Sequence, residues 1–173
     1  MTMPKPFVAV LMGSDSDLPT LQSTLDVLSA LQVPYEVKVT SAHRTPLATH
    51  EYVKQADARG CAVFIAAAGL AAHLAGTVAA LTLKPVIGVP MDAGPLNGID
   101  SLLSTVQMPG GIPVACVAIG KAGAKNAGYL AAQIIAVSDP ALAERLKRER
   151  EANAADVQAK DAALRDRLKT GKK

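Results

Sequence analysis

Phe7-Val8-Ala9-Val10-Leu11-Met12-Gly13-Ser14-Asp15-Ser16-Asp17 is a six-residue apolar run that breaks directly into glycine and small polar residues. A run this short and this continuous, bounded by Pro6 and Gly13, suits a strand buried on both faces. Leu18, Leu21, Leu25, Leu28 and Leu31 follow at three- and four-residue spacing, the mark of an amphipathic helix. Strand, small polar loop and helix in that order make the first half of a βαβ unit.

The same pattern continues along the chain. Tyr35, Val37 and Val39 alternate with Glu36, Lys38 and Thr40, which predicts a second strand. Pro46 suits the first turn of a helix running to about Arg59, with Gly60 as its stop. Further strands are expected at Ala62 to Ala67, Val86 to Val89 and Val114 to Ile119, and further helices at Ala71 to Leu83 and Ala122 to Val137. Asp139-Pro140 reads as an N-cap and first-position proline opening a long charged helix toward Lys169. Strands and helices in alternation predict a parallel sheet with helices on both faces, a three-layer αβα sandwich of flavodoxin-like or Rossmann-like type. The 173 residues are expected to form a single domain, with a core over about 7–138 and a helical extension over about 140–169.

Composition narrows the class. Half of the residues are hydrophobic but only 3% are aromatic, and there is no Trp, so the core is built from Ala, Val, Leu and Ile. Cys61 and Cys116 both lie in or beside apolar runs, where burial raises a thiol's pKa, so neither a disulfide scaffold nor a nucleophilic cysteine is expected. No stretch reads as a signal peptide or as 18 or more uninterrupted apolar residues, which predicts a cytoplasmic protein without a membrane partner. The formal charge of +3 is concentrated in the tail, where Pro140 to Lys173 carries a net +4 and the rest of the chain −1. Acidic residues are interleaved there and aromatics are absent, so bases have nothing to stack on and no nucleic-acid partner is expected.

In a parallel sheet every strand's C-terminal end faces one rim, so the loops after the strands can be read together. The first is Gly13 to Asp17, the second Ser41 to Thr45, the third Ala68-Gly69-Leu70-Ala71, and the fourth Met91 to Gly98. The first offers backbone N–H groups and the Ser14 hydroxyl at a helix N-terminus, a favourable place for an anion. Asp17 repels a phosphate but suits sugar hydroxyls, so a ligand carrying phosphate and ribose accounts for Ser14 and Asp17 together. Taken alone, Asp15, Ser16 or Asp17 could equally be a helix cap. In the second loop, Ser41 and Arg44 flank His43 as anion ligands, which would lay a phosphorylated substrate against an imidazole able to move a proton near neutral pH. His43 is therefore the candidate catalytic acid/base. His50 falls in a helix and is expected at the surface; His73 either lines the cleft or caps and packs. Metal-ligand spacing is missing, with no paired-cysteine motif and no His-x-x-x-His, and no metal is expected.

With these residues in place, the chain resembles the bacterial carboxyaminoimidazole ribonucleotide mutases of purine biosynthesis. The match runs from about Phe7 to Pro140. It rests on Met12 to Asp17, Ser41 to Pro46, Ala71-Ala72-His73-Leu74, Pro85 to Pro90, Asp100-Ser101-Leu102-Leu103-Ser104, and Gln107-Met108-Pro109 followed by Gly111-Ile112-Pro113. The resemblance implies an isomerase that moves a carboxylate from the exocyclic amine of an aminoimidazole ribonucleotide to the adjacent ring carbon, with no cofactor, metal or ATP. It implies that His43 protonates the substrate as transient CO2 departs and removes the ring-carbon proton after CO2 is recaptured. Ser14, Asp17, Ser41 and Arg44 would bind the nucleotide. Ala68, Gly69 and Leu70 would present backbone N–H groups to the carboxylate and CO2, with His73 beside them. Met91 to Gly98 and Met108 to Pro113 would be covers.

The family's third loop is often richer in glycine where this chain has Ala67 and Leu70, and its fourth often contains serine where this chain has Asp92 to Pro95. A CO2-dependent carboxylase branch of the same fold typically carries Lys-Gly in place of Arg44-Thr45, so Arg44 favours the mutase. That carboxylase and a non-catalytic nucleotide-binding module are the competing readings. The resemblance also implies a homo-octamer with sites between subunits. Ala122, Gly123, Ala127, Gly128, Ala131 and Ala132 suit close packing, either against a partner or inside one chain.

Overall fold

The computed structural model describes Pro6–Lys169 and Gly171. Five parallel strands form one sheet in the order β2-β1-β3-β4-β5: β1 (Phe7–Met12), β2 (Tyr35–Val39), β3 (Cys61–Ala68), β4 (Val86–Pro90) and β5 (Ala115–Cys116). The helices are α1 (Leu18–Ala30), α2 (Pro46–Ala58), α3 (Leu74–Ala79), α4 (Ile99–Val106), α5 (Gly120–Ala136) and α6 (Pro140–Lys169). This is the flavodoxin-like αβα sandwich with a long C-terminal helix. Its contacts divide it into two compact units, Met1–Ile135 and Ala136–Lys173.

β1 is the axis of the first unit. All six of its residues are buried, and it pairs with β2 from Val8↔Tyr35 to Met12↔Val39 and with β3 on the other side. Its Phe7, Ala9 and Leu11 join Val53 and Ala56 of α2, Phe64 and Ala66 of β3, and Leu74, Ala75 and Val78 of α3 in one core cluster. Alternation turns Val8, Val10 and Met12 to the opposite face. That face is covered by α1 and α5, which meet at close range: Thr24 Oγ1 donates to the Ala124 carbonyl at 2.6 Å. A Cβ on Gly128 would stand 3.0 Å from the Thr24 carbonyl oxygen. The small side of α5 is thus taken up inside the chain, by α1.

Three sequence expectations are corrected. β5 was expected over Val114 to Ile119 and spans only Ala115–Cys116. Val117 N–H still donates to the Gly88 carbonyl at 3.1 Å, but the next ladder bond would need an N–H from Pro90, which has none. α3 was expected over Ala71 to Leu83 and is Leu74–Ala79. Leu70 adopts φ 57°, which turns the chain before the helix can begin, and the Thr82 hydroxyl, bonded to Asp57 Oδ2 and to Lys84 N–H, organises the turn that follows it. Finally, α4 occupies a stretch where no helix was expected. It is inverted: Ser101 and Thr105 are buried, while Ile99, Leu103 and Val106 are 53%, 53% and 45% exposed. The Ser101 hydroxyl donates toward the carbonyls of Met91 and Gly98, so its burial is satisfied by hydrogen bonds.

In the second unit α6 runs for 30 residues and is exposed or half-exposed except at Leu142. Asp139 Oδ1 caps it by accepting from Leu142 N–H at 3.0 Å, as Asp139-Pro140 predicts. Pairs four residues apart, Glu144 with Arg148 and Asp161 with Arg165, support a helix with little apolar surface to bury.

Candidate active site

The chain passes from β1 to β2 on one side and then to β3 on the other, so the crevice between the C-terminal ends of β1 and β3 is the switch point at which open α/β sheets bind ligands. A cavity of about 420 Å³ lies there. Its walls include Ser14, Asp17, Ser41, His43, Arg44, Ala68, Gly69, Leu70 and His73, the nine residues singled out from the sequence. Gly13, Ser16, Ala42, Ala71, Leu74 and Ala93 complete the lining. His50 is half-buried on α2 and is not among the lining residues. Of the two expected covers, Met91 to Gly98 contributes Ala93, whereas Met108 to Pro113 contributes no lining residue. Met108 instead lies against α3, its sulfur 3.2 Å from where a Cβ on Gly76 would stand.

The first loop is organised by Ser14. Its Oγ accepts from Ser16 N–H at 3.3 Å and from the Ser16 hydroxyl at 2.8 Å, capping a single 3-10 turn that leads into α1. Asp17 occupies the N-cap position of α1 without a side-chain cap bond, so its carboxylate is left to the cavity. Burial raises the Asp17 carboxyl above the ordinary range, the Ser14 backbone opposes that shift and the Asp15 charge adds to it. A desolvated acceptor of this kind gains from incoming hydroxyl donors.

The second loop is stapled by threonines that the sequence reading did not single out. Thr45 Oγ1 accepts from Ser41 N–H at 2.9 Å, and Thr40 and Thr49 share a 2.7 Å hydroxyl contact beneath it. The signal available was their spacing of five and four residues around the motif. Ser41 Oγ accepts from Arg44 N–H at 3.1 Å and His43 N–H at 3.3 Å, which fixes the backbone and leaves the hydroxyl hydrogen to donate. Arg44 Nη2 donates to the Gly13 carbonyl at 2.9 Å and so ties the second loop to the first.

In the third loop a Cβ on Gly69 would stand 3.0 Å from Ala93 Cβ and 3.4 Å from Met91 Cβ, so glycine lets the third and fourth loops meet. His73 sits at the N-cap position of α3 but makes no cap bond with its side chain. Its Nδ1 lies 2.8 Å from His43 Nε2, with the two rings nearly perpendicular at 88°. Away from the cavity, burial pushes the Cys61 thiol up to about 11 and raises Cys116 as well, which suits neither for nucleophilic work. Among the described residues no group of three or more His, Cys, Asp or Glu converges as a metal site would.

A doubly wound sheet, a cleft at its switch point, and a cation and an imidazole side by side define a class: α/β enzymes that act on small anionic ligands. Residues 7–156 match the family described as AIR carboxylase, and the chain belongs to that family. It is 57% identical over 147 residues to the N5-carboxyaminoimidazole ribonucleotide mutase of Bacillus subtilis, covering 85% of this chain and 91% of that one. To the protein of the same name from Escherichia coli it is 51% identical over 150 residues, covering 87% and 89%. The crystal structure of Treponema denticola PurE superposes with a TM-score of 0.84 at 30% identity, over 92% of this chain and 99% of that one.

Proposed function

We propose that this protein is an N5-carboxyaminoimidazole ribonucleotide mutase of purine biosynthesis, an isomerase working by proton transfer at His43. The observation that carries the reading is the convergence of His43, Arg44, Ser14, Ser41 and Asp17 on one cleft in a chain 51% to 57% identical to proteins of that name. Ser14, Ser41 and Arg44 take the phosphate, Asp17 takes the ribose hydroxyls, and the imidazole of the substrate lies against His43.

In this reading the bond from the exocyclic nitrogen to the carboxyl carbon breaks, its electrons stay on nitrogen, and His43 supplies the proton that makes the free amine. CO2 is held near the backbone of Ala68, Gly69 and Leu70, with His73 alongside, until the adjacent ring carbon attacks it. His43 then takes the proton from that carbon. The proton count closes over one turnover, so neither a metal nor an organic cofactor enters the reading.

The assembly belongs to the same proposal: a homo-octamer in the cytoplasm, its single catalytic domain extended by α6. Ile99, Leu103 and Val106 leave an apolar stripe uncovered on α4, which supports association of copies. Among the described residues no helix is long and apolar enough to cross a membrane.

The test is turnover of N5-carboxyaminoimidazole ribonucleotide bearing a labelled carboxylate, in unlabelled bicarbonate. The label should appear in the ring-carbon carboxylate. Its complete exchange with solution CO2 would point to the carboxylase instead. His43→Asn should lower kcat by about 10²- to 10⁴-fold while the nucleotide still binds, as loss of a general acid/base requires; turnover within a few-fold of wild type would refute the role given to His43.

A further inference from the structure

His43 and His73 are 30 residues apart in sequence and joined ring to ring, Nε2 to Nδ1 at 2.8 Å. A bond between two imidazoles is informative because each ring carries one nitrogen that can donate and one that can accept, and the bond fixes which is which. When His43 is protonated on both nitrogens, its Nε2–H can only meet a bare Nδ1 on His73, since two N–H groups at this distance would repel. When His43 then gives up a proton without breaking that bond, the proton leaves from Nδ1.

The backbone around His73 matches such a duty. Its N–H donates to the Ala71 carbonyl at 2.9 Å and its own carbonyl accepts from Thr77 N–H at 2.9 Å, which pins the residue at the head of α3. The ring is not used as a helix cap, although it stands where a cap would be. It is therefore held at its root and committed only to His43.

We propose that His73 is a positioning residue: its Nδ1 accepts from His43 Nε2–H throughout the reaction, fixes the orientation of the His43 ring, and makes Nδ1 of His43 the nitrogen that exchanges the proton with substrate. The proposal rests on the reading of His43 as the acid/base group, and it assigns His73 a task distinct from touching the nucleotide. A neutral imidazole serves here where a carboxylate would bring a second negative charge to a cleft that binds a phosphate and a carboxylate.

The test compares His73→Asn with His73→Leu. The Asn Oδ1 stands one bond from Cγ, as Nδ1 does, so it can accept the same hydrogen bond; Leu keeps the bulk and removes the acceptor. Expected is a kcat for His73→Asn within about threefold of wild type. His73→Leu should lose about 10- to 100-fold in kcat with KM within about threefold, because a misaimed acid/base group damages the chemical step. Equal kcat in wild type and His73→Leu would overturn the proposal, and so would a KM raised tenfold or more in both variants, which would put His73 on the substrate.

A second readout needs no turnover. The chain holds three histidines, so nitrogen-15 spectra of histidine-labelled wild type and variants resolve His43 readily. Neutral His43 should carry its proton on Nε2 alone in wild type and in His73→Asn, and as a mixture of two tautomers in His73→Leu. Identical His43 spectra in wild type and His73→Leu overturn the proposal. If instead wild type shows the fixed tautomer but does not convert the ribonucleotide, the reading of function fails and the histidine pairing stands.

Discussion

Replacing Arg44 by lysine isolates the anion grip from the proton chemistry. The Arg44 guanidinium spends one N–H on the Gly13 carbonyl at 2.9 Å and keeps the rest of its planar fork for a ligand, so one side chain binds the two loops to each other and to the anion. Lysine has three donors on a point charge and no rigid fork, and it cannot hold the carbonyl and an anion in the same geometry. The difference is one hydrogen bond from a charged donor, about 1.5 to 3 kcal/mol. At about 1.4 kcal/mol per factor of ten this is roughly a 10- to 150-fold rise in KM for N5-carboxyaminoimidazole ribonucleotide. Because the interaction is made equally in the ground and transition states, kcat should stay within about threefold. Arg44 is exposed, so the thermal midpoint should move by no more than about 2 °C. The assay is steady-state kinetics on Arg44→Lys with the ribonucleotide and with the corresponding nucleoside, which lacks the phosphate. The nucleoside should not distinguish the two proteins. An equal penalty on both substrates, or a fall in kcat at unchanged KM, would refute the assignment of Arg44 to the phosphate.

Three further outcomes are expected. Gly88→Ala should lower stability by about 1 to 3 kcal/mol in urea unfolding, since its Cβ would stand 2.3 Å from Thr105 Cγ2 and 3.0 Å from Val114 Cγ1; an unchanged midpoint would mean that α4 is not seated on β4 as described. Cys61, with its thiol pushed up to about 11, should react with a thiol reagent at pH 8 about 100-fold more slowly in the native protein than in urea. Comparable rates would show that its burial is transient. Leu103→Glu should convert the assembled protein to smaller species in sedimentation velocity, because it puts a charge in the apolar stripe of α4; a sedimentation coefficient equal to that of wild type would remove α4 from the contact between copies.

Much of this architecture could be read before any coordinates, because β1 and β3 announce themselves as apolar runs ended by small polar residues. The meeting of the four loops follows from topology alone, since parallel strands end on one rim. What escaped reading did so for local reasons. α4 escaped because its buried side is Ser101 and Thr105, so a search for an apolar face pointing inward finds nothing there. The end of β5 depends on a hydrogen missing from Pro90 in the neighbouring strand, which no inspection of Val114 to Ile119 can reveal. The start of α3 was placed too early because the left-handed turn at Leu70 falls on a residue type that rarely adopts it. In the site, the residue types were legible but the pairing of His43 with His73 was not: it joins two loops, and only the register of β1 and β3 brings their ends within reach.

β1 also has a history within each folding event. Its partners are supplied from two directions, β2 about 25 residues along and β3 more than 50, and the second must cross over before the sheet can close around it. Until then Phe7 to Met12 is an uncharged, proline-free, strand-forming hexapeptide with open edges. The segment that forms the floor of the finished cleft is thus the one most able to pair wrongly with another chain, and the speed with which β3 arrives sets how long that hazard lasts.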